Sequence, residues 1–235
     1  MRAPRPVEGG TRYHAGVAKA GALRAFLISG FLLALPGGLL PLWGYHVHAE
    51  FGIAGDYFLA LGVGMAGSMA FSRVLVRKFR ADLLLTAGCF FASVALLMLT
   101  IASPPALLWY QMACVFVTGA AAGLINGAIF ELIGPAWEAD PAGVTLRGGI
   151  YFGAGSVAAS LLLAQCFEGE ASAPRLLAIS AVLPAAAALA FRRFPVAVRE
   201  TEEVPPDEIA TRYRRTVLAI LFGFLSAREL AGETS

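Results

Sequence analysis

Six runs of apolar residues, each long enough or nearly long enough to cross a lipid bilayer, leave this chain few ways to fold. The hydrocarbon core is about 30 Å thick and a helix rises about 1.5 Å per residue, so one span needs about 20 mostly apolar residues. The runs are Ala25 to Val47, Tyr57 to Val76, Leu83 to Ala102, Ala106 to Phe130, Gly148 to Phe167 and Leu176 to Phe191. The last is the shortest and Ala-rich, and is expected to recruit flanking Ala-Pro or Arg-Phe residues. Lipid forces each segment to satisfy its own backbone polar groups, and the alternating pattern of a membrane barrel is absent, so every run is predicted to be a helix. The first run follows a basic stretch, but a cleavable signal core is about 7 to 15 residues and this run is longer, so it reads as a retained span. The expected fold is an all-α membrane protein with six transmembrane helices in one bundle.

Composition agrees. Hydrophobic residues make up 58% of the 235 and charged residues 14%, an apolar share above that of ordinary soluble domains. A net charge of +2 is too small and too scattered for a nucleic-acid face. Cys89, Cys114 and Cys166 lie in apolar runs with no CxxC pair, so neither a zinc site nor a redox motif is spelled out. His46 and His48 lack Cys or carboxylate support, and no metal or cofactor site is predicted.

All but two of the 18 Lys and Arg residues fall on one side of a six-span topology. They occupy the tail 1–24, the second loop (Arg73, Arg77, Lys78, Arg80), the fourth loop (Arg147) and the stretch from Arg192 to Arg215; the opposite loops hold only Arg175. By the positive-inside rule both termini are cytoplasmic and the chain is a multi-pass protein of the cell membrane. The organisation is then a tail (1–24), a six-span bundle (25–191), a Pro-broken polar linker (192–215) and an incomplete seventh apolar segment with a polar tail (216–235).

Small residues recur at helical spacing: Gly30, Ala34 and Gly38 in the first span, Gly119, Gly123 and Gly127 in the fourth, Gly149 and Gly153 in the fifth. Such stripes let helix backbones approach closely. Pro36 removes a helical hydrogen bond near the centre of the first span and its glycine neighbours soften the backbone, so Pro36 and Gly38 are candidates for a kink or a cavity wall. Polar groups inside spans are costly and therefore informative. Asn126 lies deepest and is the leading cavity candidate, with an interhelical hydrogen bond as the competing role. Glu131 is a candidate proton or cation site, or a partner for Arg147. Trp43, Tyr45, Trp109 and Tyr110 fall where aromatic belts are expected.

Six spans, a basic second loop, Gly-rich fourth and fifth spans and a polar linker leading to a seventh apolar run together resemble the N-terminal half of a major facilitator superfamily transporter, from Leu23 to about Leu225. The segments GAAAGLINGAIFEL and RGGIYFGAGSVAASLL are similar to the fourth and fifth helices of its fucose and glucose/galactose permease branch. The family's loop signature would fall on Met69 to Lys78, where only Arg77 and Lys78 match; Met69, Arg73 and Val76 replace its Gly, Asp and Gly. The resemblance implies alternating-access transport of a small solute, with a proton or cation as the coupling ion and with Arg73, Arg77 and Lys78 as gating candidates. It also implies a second six-helix half as partner within the lipid bilayer, either another copy or a separate chain, and no enzymatic activity. The competing expectations are a non-transporting scaffold or fragment of a truncated gene and, remotely, an intramembrane protease built on Ser156, for which no His follows the serine.

Overall fold

The computed structural model describes residues 8–45, 51–76, 78–104, 106–167, 169 and 172–193. Arg77, His46, His48, most of the linker and the seventh apolar run lie outside them. The described residues form seven helices: α1 Glu8–Leu42, α2 Phe51–Val76, α3 Ala81–Ile101, α4 Leu108–Ala139, α5 Pro141–Phe167, α6 Ala173–Ser180 and α7 Val182–Arg193. Six stretches are long and apolar enough to cross a membrane, the sixth running from Ala173 to Arg192 through both α6 and α7. The chain is thus all-helical over the described residues, and its architecture is that of a multi-pass membrane protein.

Helix bounds depart from the sequence expectation at several points; α1 begins at Glu8 and α5 at Pro141, upstream of their predicted runs. In the sixth span the hydrogen-bond ladder is interrupted at Ala181, whose backbone stays helical at φ −65°, ψ −21°; Pro184 has no N–H to offer the carbonyl of Ser180, and its ring crowds that position. Helix α4 continues past Phe130 to Ala139, so Glu131 sits inside a helix rather than at its end. In α1, Pro36 and Pro41 are accommodated without ending the helix.

The bundle is held by close helix crossings. Along α4, a methyl group on Gly119 would run into the carbonyl of Leu61, one on Gly123 into Ser68 and the carbonyl of Met65, and one on Gly127 into Ser72. Contacts rise together in both sequences, so α2 and α4 run parallel. The α1–α5 pair is built the same way: Gly30 meets the Phe152 backbone, Gly155 meets Leu27 and Phe31, and Gly38 meets Leu163. Without Cβ atoms at these positions the backbones come near enough for dispersion contacts along the whole crossing, which is what associates helices where no hydrophobic driving force exists. Gly149 and Gly153, by contrast, meet nothing within 4 Å; in α5 the packing glycines are Gly148 and Gly155. Apart from α3 with α4, spans consecutive in sequence touch little. The main contacts are α2 with α4, α1 with α5, α3 with α4, and α3 with the sixth span, while α1 crosses α4 at the centre.

Burial follows from this order. Only 17% of the apolar window is buried in α2 and in α5, against 61% in α4 and 56% in α1. The two peripheral helices accordingly show large side chains outward, including Phe58, Val63 and Phe71 on α2 and Ile150, Val157 and Leu161 on α5.

Candidate functional site

Asn126 lies at the α1–α4 crossing. Its Nδ2 donates to Ser29 Oγ at 2.7 Å and to the carbonyl of Ala122, one turn back, at 2.9 Å. Asn126 is 6% exposed and Ser29 fully buried. The amide nitrogen commits both hydrogens within the bundle, which meets the cost of a polar group in hydrocarbon. Ser29 carries no sequence signal of its own: a serine among apolar residues becomes a partner only once α1 and α4 cross.

The other candidates are spread over the bundle. Pro36 is buried in α1, Gly37 beside it is exposed, and Gly38 packs on the Leu163 side chain. Although α1 and α4 are the most buried helices, each keeps exposed positions: Gly37 and Pro41 on α1, and Ala113, Phe116 and Val117 on the face of α4 turned away from Asn126. Glu131 is half-buried one turn beyond Gly127, at the same end of the α2–α4 pair as exposed Arg73; Lys78 is exposed just after α2. In the second loop Arg80 forks onto Asp82, Nε to Oδ1 and Nη2 to Oδ2, both at 3.1 Å. Arg147 is exposed on α5.

A second polar cluster, unforeseen in sequence as a unit, closes the opposite end. Gln111 is fully buried. Its Oε1 accepts the hydroxyl of Tyr57 and, at 3.2 Å, that of Tyr45, while Nε2 donates to the carbonyl of Ala106 at 3.3 Å. The rings stack obliquely, Tyr45 on Tyr57 at 5.7 Å and Trp43 on Tyr57 at 6.1 Å between centroids. The end of α1, the start of α2 and the start of α4 are thereby tied at one amide. Tyr45 therefore does more than mark the membrane interface. Beside this cluster a shallow cavity of about 260 Å³ opens between Leu42, Trp43, Ser103, Pro104, Ala173 and Pro174.

Ser156, the serine of the Gly-rich stretch in α5, lies 3.2 Å from both the Gly30 and the Phe152 carbonyls. Among the described residues no three His, Cys, Asp or Glu side chains gather as a metal site, and the three cysteines are free. Compared with protein-family models, with curated proteins and with solved structures, the chain matches none of them. The class these observations define is a six-span helical membrane protein whose central polar contact is Asn126–Ser29.

Proposed function

We propose that this chain is one six-helix wall of a secondary active transporter of the major facilitator kind, moving a small polar solute, a sugar in the first instance, by alternating access. The observation that carries the reading is the order of helix packing. Exchanging each of the first three spans with the span three later turns the α2–α4 contact into the α5–α1 contact and leaves the α1–α4 and α3–sixth-span contacts in place. Among the main contacts, only α3–α4 lacks an equally close counterpart, between the sixth span and α1. The exchanged helices enter the bilayer from opposite sides. Two inverted three-helix repeats of this kind are nested in each half of such transporters. The equal, low burial of α2 and α5, which the exchange interconverts, fits the same symmetry.

In this reading the exposed face of α1 at Gly37 and Pro41 lines a water-filled cavity, and a second bundle, joined in the same polypeptide or associated as a separate chain, supplies its other wall. Asn126, held by Ser29, offers its carboxamide oxygen to a solute hydroxyl. Glu131 is the coupling group for a proton or cation, and Arg73, Arg77 and Lys78 guard the basic, cytoplasmic side, where both termini lie.

The test is uptake of labelled hexoses driven by an imposed proton gradient, in vesicles from cells expressing the protein. Asn126→Leu removes the amide at similar volume and is expected to lower uptake on the order of tenfold, the equivalent of one lost hydrogen bond, while inserted protein stays constant. Unchanged uptake by a folded Asn126→Leu protein would make the amide structural. Absence of proton-driven uptake in the unmodified protein would favour a non-transporting scaffold.

A further inference from the structure

We infer that the sixth span is a hinge and that Ser93 of α3 is a two-position latch on it. At the break, α6 ends at Ser180 and α7 begins at Val182. Pro184 cannot donate to the Ser180 carbonyl, and the next backbone bond, Ala185 N–H to Ala181 O, is stretched to 3.3 Å. The Ser180 hydroxyl is buried with no partner, although a mid-helix serine ordinarily bonds the carbonyl one turn back. The turn that joins α6 to α7 is thus short of hydrogen bonds on both backbone and side chain.

Ser93 sits across from it. Its Oγ is 3.0 Å from the carbonyl of Ala181 and 3.2 Å from that of Cys89 in its own helix. One hydroxyl carries one proton, so it serves one of the two at a time. When it points to Ala181 it fastens the break to α3. When it turns to Cys89 the fastening is gone, yet Ser93 remains bonded and Ala181 keeps the N–H of Ala185. Two arrangements with nearly the same bonding inventory are what a two-state element requires. The reference side is firm, because Gly88 of α3 packs directly on Ile125 of α4. Both halves pack on α3, α6 through the buried Leu176 and Leu177 and α7 through the buried Pro184, Ala188 and Phe191. Bending at the break changes the distance between α3 and the part of α7 beyond it. The hinge is independent of any transported solute.

The test uses the full chain in lipid nanodiscs with spin labels at Leu83→Cys on α3 and Leu189→Cys on α7, both exposed, and Cys166→Ala so that only buried native thiols remain. Electron–electron distance measurement is expected to give two populations. Ser93→Ala shifts their ratio roughly threefold toward the longer distance, the equilibrium equivalent of an average interhelical hydrogen bond in membranes. Ser93→Thr, which keeps the hydroxyl, restores the original ratio, and Pro184→Ala collapses the two populations into one. A single distance in the unmodified protein, unmoved by Pro184→Ala, would overturn the hinge. A Ser93→Ala shift that Ser93→Thr fails to reverse would overturn the latch.

Discussion

Replacing Gln111 with Leu removes the one amide that joins three helix ends, and the structure sets both the size and the sign of the effect. Tyr57 is 1% exposed, so its hydroxyl would be left buried without an acceptor, a loss of about 1–3 kcal/mol. Tyr45 is only half-buried and reaches the interface, so its contribution is that of an average membrane hydrogen bond, about 0.6 kcal/mol. The expected destabilisation is roughly 2–3 kcal/mol. Tyr57→Phe in the unmodified protein loses one bond and should destabilise by about 0.6–1.7 kcal/mol. In the Gln111→Leu background the same change removes an orphaned hydroxyl and should stabilise by about 1 kcal/mol. Equilibrium unfolding in mixed detergent and dodecyl sulfate micelles, followed by tryptophan fluorescence, reads all four proteins. Equal destabilisation of both backgrounds by Tyr57→Phe would refute the coupling, because the two side chains would then not share a bond.

The glycines divide by what surrounds them. Gly123→Leu, facing Ser68 and Met65, is expected to cost on the order of 3 kcal/mol or to abolish folding, while Gly62→Leu and Gly153→Leu, with open space at Cβ, leave the same unfolding midpoint nearly unchanged; equal effects would mean that α4 does not cross α2 there. For orientation, impermeant thiol reagents outside intact cells are expected to label Ser172→Cys and to leave Lys78→Cys untouched, both positions being exposed; the reverse pattern would invert the topology.

Much of the architecture is legible in the sequence because lipid allows so few solutions. Span existence follows from length and hydropathy, and Gly119, Gly123 and Gly127 announce a close crossing before any partner is known. The hidden part depends on which helices meet. Asn126 stands out as a buried amide, but Ser29, 97 residues away, is identified only by the α1–α4 crossing. Gln111, Tyr45 and Tyr57 belong to three segments, and only the packing of those segments brings them to one amide. Gly149 and Gly153 carry the same spacing as the packing glycines yet face outward, since spacing defines a stripe and not the side from which a neighbour arrives. Pro184 stands just past the break at Ala181, but the Ala-rich run around it reads as one uninterrupted helix.

The central claim, that the exposed face of α1 lines a water-filled cavity between two bundles, can be tested without knowing the solute. Single cysteines at Gly37 and Pro41, both exposed, would be compared in native membranes with cysteines at the outward-facing positions Val63 and Ile150, using a membrane-impermeant methanethiosulfonate. A thiol reacts as thiolate and needs water to ionise. The two α1 positions are expected to react at least about tenfold faster than the two lipid-facing controls, given the cost of placing charge in hydrocarbon. Positions Gly37→Cys and Pro41→Cys as unreactive as Val63→Cys and Ile150→Cys would mean that lipid covers this face and that the bundle is not a transporter wall.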